Sequence, residues 1–209
     1  MPNLIEPEKI IALAASRAAA RSHQKRFCVA MRLEPVKRVE ILLQAAALLG
    51  ANANWLIDIV GDGSQRQQLL ALAHQLNIGD RVVFHGWQAN PYPIIANATA
   101  LVLCSELEGF SNSVLEAMVL RTPVITSFCS SDARHMISVG AALGFEVGDH
   151  EQLCRHLQAM IEQPDLARRL GDAGWDYARP HRVKEATRAS DELLVSAAAR
   201  RLRAKACRN

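Results

Sequence analysis

Short apolar runs at residues 27–31, 55–60, 82–85, 100–104 and 123–126, with a weaker one at 143–147, alternate along this chain with helix-like stretches. Runs of strand length separated by helices imply βαβ units and therefore a parallel sheet with helices on both faces. The helices are expected at 36–49, 64–76, 91–96, 112–120 and 150–162, the last entered through Gly148-Asp149, and Gly or Pro marks most of the short turns between elements. Beyond Asp165 the pattern is wholly helical, with Pro180 interrupting it before a last long helix over 183–203. No repeat or low-complexity tract is present.

With 209 residues, half of them apolar, the chain can bury one sizeable core but hardly two. The expected organisation is a linker and Ala-rich surface helix over 1–24, a Rossmann-like α/β domain over 25–180, and a helix with a basic tail over 181–209. No apolar run approaches the roughly 20 residues that span a bilayer. The first residues also lack a charged region followed by an apolar one, so a cytoplasmic protein is expected. Cys28, Cys104, Cys129, Cys154 and Cys207 are odd in number and form no C-x-x-C pair, which fits reduced thiols. A net charge of +3 is too small to argue for nucleic acid. Arg200, Arg201, Arg203, Lys205 and Arg208 crowd the end of the chain. They read either as a solvated tail or as a peripheral contact with anionic lipid on the inner face of a membrane.

Glu108 and Glu116 lie eight positions apart on either side of a strand-to-helix turn. Gly109 permits the turn, and Ser111 or Asn112 can cap the helix. Unpaired N–H groups at a helix start attract an anion such as phosphate, while carboxylates beside them accept hydrogen bonds from hydroxyls. Phosphate and polyol held together point to a nucleotide-sugar. In a doubly wound sheet, ligands bind beyond the carboxyl ends of the strands, and the turns at Arg32, Gly61-Asp62-Gly63 and Glu108 all fall there.

Arg32 follows the first strand, and Lys37 with Arg38 opens the next predicted helix, where the macrodipole disfavours cations. Two readings stay open: the cations hold a diphosphate, or they pair with Glu34 or Glu40 on the surface. Gly61-Asp62-Gly63 resembles a dinucleotide fingerprint, but Arg66 stands in place of the third glycine and no acidic residue ends the next strand. It reads first as a structural turn, with backbone lining of the crevice second. Trp87 packs over the core or lies beside a base. The histidines show no ligand spacing, and no Gly-x-Ser-x-Gly or Gly-x-x-x-x-Gly-Lys run exists, so neither a metal centre, a serine nucleophile nor ATP hydrolysis is expected. His85 and His135 lie near the predicted crevice.

Taken in order, these segments resemble the retaining GT-B glycosyltransferases of group 1, also called family 4. The stretch from Met31 through Arg32-Leu33-Glu34-Pro35-Val36-Lys37 to Arg38 is similar to that family's Gly-Arg-Leu-x-x-x-Lys-Gly segment. Ile59-Val60-Gly61-Asp62-Gly63 and Val83-Phe84-His85-Gly86-Trp87 resemble its second- and third-strand turns. Glu108 to Glu116 resembles its E-x7-E signature, continued by Ala117-Met118 and Thr122-Pro123-Val124-Ile125.

The resemblance implies that Arg32 and Lys37 bind the diphosphate of a UDP- or GDP-sugar and stabilise the departing nucleoside diphosphate. Amides near Gly109, Phe110, Ser111 and Asn112 assist, Gly61 and Gly63 line the site, Glu108 engages the donor sugar and Glu116 the ribose. It also implies transfer with retained configuration and without an obligatory metal or cofactor. Met31 and Arg38 replace family glycines, Ser111 stands where proline is common, and residues 130–136 lack the family's Gly-x-x-Glu element.

Such enzymes have two Rossmann-like domains, and this chain resembles the second. A sugar or lipid-linked acceptor would be held by the absent N-terminal domain. Donor binding without efficient transfer is therefore expected, in cell-envelope glycan synthesis. A non-catalytic nucleotide-sugar module is the alternative, and a nicotinamide-dependent oxidoreductase is third.

Overall fold

Phe27, Cys28 and Val29 in the first strand, and Ile57, Asp58 and Ile59 in the second, are wholly shielded from water, so both faces of the central strands are covered. A computed structural model describes residues 5–15, 24–50, 54–109 and 111–179. Its strands are β1 (Lys25–Ala30), β2 (Trp55–Val60), β3 (Val82–Gly86), β4 (Ala100–Leu103), β5 (Val124–Ser127) and β6 (Leu143–Phe145). They form one sheet in the order β3-β2-β1-β4-β5-β6, every pairing parallel. The helices are α1 (Pro7–Ala15), α2 (Glu40–Ala47), α3 (Arg66–Gln75), α4 (Tyr92–Ala96), α5 (Asn112–Val119), α6 (Ser131–Ser138), α7 (His150–Glu162) and α8 (Pro164–Ala178).

Alternate residues of each strand point to opposite faces, which divides the interior in two. Phe27, Val29, Ile57, Ile59 and Val102 pack with Leu42, Leu69, Leu153 and Leu157 from α2, α3 and α7. Cys28, Leu101, Leu103 and Val124 pack with Ile95, Leu115, Met118 and Met136 from α4, α5 and α6. The expected Rossmann-like three-layer fold is therefore present. On the second face α1 packs on α4 and α5 through the buried Ile10. The chain moves outward from β1 through β2 to β3, then crosses to β4 on the other side of β1. Strand order thus reverses between β1 and β4, and a crevice opens there beyond the carboxyl ends.

Two elements differ from the sequence pattern. The helix expected over 36–49 is broken: Pro35–Lys37 forms a single 3-10 turn, Arg38 takes a left-handed φ of 50°, and α2 begins only at Glu40. Proline initiates the tight turn and the left-handed residue ends it, while an acidic residue suits the first turn of the helix proper. The second difference is α6, which is not among the helices expected from the sequence. Ser130 caps it by accepting the Ala133 N–H at 3.1 Å, and Ala133 and Met136 turn inward. The helix expected over 183–203 and the basic tail lie outside the described residues. No helix among the described residues is long and apolar enough to cross a membrane.

Candidate functional site

Backbone hydrogen bonds tie the loops after β1, β2 and β3 into one wall of the crevice. Met31 N donates to Val60 O at 3.0 Å, Leu33 N to Asp62 O at 2.9 Å, and Gly61 N to Gly86 O at 2.8 Å. This close approach explains the glycines. A Cβ at Gly61, where φ is 130°, would lie 1.8 Å from Met31 O, and one at Gly63 would lie 2.5 Å from Leu33 O. Both glycines serve the turn, and Gly61 also lines the crevice.

That crevice has a volume of about 530 Å³, and Met31, Arg32, Gly61, Asp62, Trp87 and Glu116 are among its lining residues. Arg32 is exposed, and among the described residues its guanidinium has no carboxylate or hydrogen-bond partner. Trp87 is 75% exposed, so it does not cover the core, contrary to the first of its two readings. It stands at the rim as an apolar plate.

Glu116 sits in the second turn of α5 and accepts a hydrogen bond from the Tyr92 hydroxyl at 3.3 Å. Burial holds its carboxyl above the ordinary value, and the Tyr92 hydroxyl offsets part of that rise. The Tyr92 phenol is raised too, by burial and by the charge of Glu116. The folded chain therefore binds a proton at Glu116 more tightly than the unfolded chain does. Stability consequently falls as pH rises from the ordinary carboxylate range through the raised folded-state value. Glu116→Gln is expected to melt at a higher temperature than the wild type at pH 7. The gain should vanish below the ordinary carboxylate range, and a variant that melts no higher at pH 7 contradicts this burial cost.

A second cluster lies across the β1/β4 reversal. Lys37 Nζ meets Glu108 Oε2 at 2.5 Å, and Ser105 Oγ donates to the same oxygen at 3.0 Å. Arg38 bonds Glu40 at 2.7 Å and Glu106 at 3.3 Å, and Glu106 N donates to Val36 O at 2.9 Å. The loop after β1 is thus zipped to the loop after β4. These contacts correct the surface reading of Lys37: Glu34 instead accepts from Ser64 Oγ at 2.7 Å, and Glu40 takes Arg38. They also correct the macrodipole argument, since neither Lys37 nor Arg38 opens α2 and both are offset by the chain's own carboxylates.

Glu108, Gly109 and Ser111 line a small hollow with Ser130 and Asp132 of the α6 start. The two glutamates of the turn therefore face different spaces: Glu116 faces the larger crevice with Arg32, and Glu108 the hollow beside Lys37. Ser111 occupies the N-cap of α5 without a side-chain cap bond, and its hydroxyl lies 3.1 Å from that of Ser113. Asn112 begins the helix, and Phe110 lies outside the described residues.

Neither histidine joins the crevice lining. His85 Nε2 donates to the Asp58 carboxylate at 2.7 Å, and His135 packs against the Tyr177 ring with centroids 5.7 Å apart. Among the described residues no three His, Cys, Asp or Glu side chains are grouped so that they could hold a metal ion. Sequence reasoning passed over Tyr92, Ser105 and the α6 start. The signal for Ser105 was a hydroxyl directly after an apolar strand, three residues before Glu108.

The family model of the glycosyl transferases group 1 matches residues 14–176. A lipopolysaccharide 1,6-galactosyltransferase of Salmonella typhimurium is 39% identical over 114 residues, which is 53% of this chain and 31% of that protein. The lipopolysaccharide core biosynthesis glycosyltransferase LpsE of Rhizobium meliloti is 30% identical over 161 residues, 77% of this chain and 46% of its own length. The crystal structure of Anabaena Alr3699/HepE in complex with UDP-glucose superposes with a TM-score of 0.75 at 22% identity, covering 92% of this chain and 54% of that one. The chain thus spans about half or less of the length of each of these relatives.

Proposed function

Because the chain belongs to the glycosyl transferases group 1 family, we propose that its crevice binds the nucleotide-sugar donor of a retaining GT-B glycosyltransferase. One observation carries this reading: an unpartnered guanidinium at Arg32, a half-buried carboxylate at Glu116 and an exposed indole at Trp87 share one crevice. A guanidinium fork suits a diphosphate, a carboxylate suits vicinal ribose hydroxyls, and an indole offers a stacking face to a base. UDP-glucose in the Anabaena protein of like fold supports the same chemistry.

In this reading Lys37 turns from Glu108 toward the diphosphate, and Glu108 accepts hydroxyl hydrogen bonds from the donor sugar. The amides at Gly109, Ser111 and Asn112 add donors to the phosphate. With Arg32 and Lys37 they stabilise charge on the departing nucleoside diphosphate. The names of the relatives favour an envelope glycan as the product. The acceptor, a sugar or a lipid-linked sugar, would be met by a second domain such as the longer relatives can supply, so that this chain alone binds donor without efficient transfer.

The ribose assignment is tested by titrating the tighter of UDP and GDP against its 2′,3′-dideoxy analogue. The wild type is expected to prefer the natural nucleotide by about tenfold, as for hydrogen bonds to a charged acceptor. Glu116→Gln should lose most of that preference. Equal affinity of the wild type for both nucleotides contradicts the assignment.

A further inference from the structure

Ser105, Thr126 and Ser127 are fully buried polar residues at the carboxyl ends of β4 and β5. They form a chain of bonds: Thr126 Oγ1 donates to Ser127 O at 3.1 Å, Ser127 Oγ to Ser105 O at 2.6 Å, and Ser105 Oγ to Glu108 Oε2 at 3.0 Å. A buried hydroxyl needs a partner, but nothing in packing requires that the partner be a carboxylate in the loop that follows. Only one oxygen of Glu108 is engaged, by Lys37 and Ser105 together, and Oε1 has no hydrogen-bond partner among the described residues. Holding one oxygen from two directions fixes the carboxylate plane and presents the other oxygen.

From this geometry we infer that Ser105 is a positioning residue that aims Glu108 at the donor sugar; the inference rests on the nucleotide-sugar reading of the site. Lys37 is a poor permanent tether, because an arriving diphosphate competes for its ammonium. Ser105 is shielded from solvent and carries no charge that a phosphate could draw away, so its hydroxyl keeps its grip when Lys37 turns away. The sugar then meets a carboxylate already oriented, and less freedom is lost on binding. The hydroxyl touches neither sugar nor phosphate, so its effect must be confined to the part of the affinity that the sugar adds.

That confinement defines the test. The wild-type chain, Ser105→Ala, Ser105→Cys and Ser127→Ala are titrated with UDP, UDP-glucose, UDP-galactose, GDP and GDP-mannose. Their melting temperatures are recorded alongside. The quantity read is the sugar gain: the affinity for the best nucleotide-sugar divided by that for its own nucleoside diphosphate. Ser105→Ala is expected to leave the diphosphate affinity unchanged and to cut the sugar gain by about tenfold, the worth of a hydrogen bond to a charged group. Ser105→Cys, which fills the site with a weaker donor, should fall between. Ser127→Ala removes a buried hydrogen bond of the same chain yet leaves the Ser105 hydroxyl on Glu108, so it should retain the larger part of the gain at a similar melting temperature.

A wild-type gain that survives in Ser105→Ala overturns the inference alone. So does an equal loss in Ser127→Ala, which would make the effect merely structural, and so does a wild type that binds diphosphate and nucleotide-sugar equally. Failure of the wild type to bind any of the five ligands overturns the nucleotide-sugar reading and this inference with it.

Discussion

Arg32→Ala is expected to weaken binding of UDP or GDP by roughly 10- to 100-fold, the range for a charge-assisted, bidentate contact with a phosphate. The reason lies in the ligand-free site. Arg32 is exposed and without a partner among the described residues, so its whole donor capacity is available and no protein contact must be broken first. The substitution should leave the melting temperature unchanged, since no bond made in folding is lost. Lys37→Ala should cost less, because Lys37 is already met by Glu108 and must exchange one anion for another. Arg32→Lys should recover only part of the affinity, since an ammonium keeps the charge but loses the planar fork. Unchanged affinity in Arg32→Ala would remove the diphosphate from this side of the crevice.

Asp58→Ala is expected to lower the stability of the chain by about 2–3 kcal/mol, measured by chemical denaturation at pH 7. Asp58 is wholly buried in β2. Its Oδ2 takes Arg26 Nε at 2.7 Å, and its Oδ1 takes Arg26 Nη2 at 2.5 Å and His85 Nε2 at 2.7 Å. The carboxylate therefore cross-links β1, β2 and β3 on the face opposite α2 and α3. Removing one partner of a buried pair typically costs about 3–5 kcal/mol, because the other charge is left without compensation. The lower figure follows from the exposure of the partners: the Arg26 and His85 side chains are 25% and 24% exposed and regain some hydration. His85 precedes Gly86, whose carbonyl receives Gly61 N, so loosening β3 also loosens the crevice wall. A loss below about 1 kcal/mol would show the cluster to be nearly balanced by its own desolvation.

The legible parts of this chain were those whose pattern had a single physical cause. Trp55–Val60 and His150–Glu162 were bounded as found, because apolar runs and an Asp149 cap leave little choice. That the turns at Arg32, Gly61 and Glu108 share one edge followed from topology, since a parallel sheet sends every strand-to-helix turn there, but Glu116 rather than Glu108 lines the larger crevice. What was hidden depended on partners distant in sequence. Lys37 could pair with Glu34, Glu40 or Glu108, and only the reversal between β1 and β4 brings the last within reach. The helix expected over 36–49 looked continuous because the left-handed turn at Arg38 carries no glycine to announce it. The α6 cap was readable in principle from Ser130 and the inward spacing of Ala133, Met136 and Ile137, although the helices expected from the sequence do not include it. Asp58, a charge within an apolar run, carried no local sign of the arginine and histidine that bond it from the neighbouring strands.

The most direct measurement is a calorimetric titration of the wild-type chain with UDP-glucose, UDP-galactose, GDP-mannose and NAD under one buffer condition. Saturable one-to-one binding of at least one nucleotide-sugar, displaced by its nucleoside diphosphate, is expected, with no comparable binding of NAD. Binding of NAD alone, or of none of the four, would contradict the nucleotide-sugar reading.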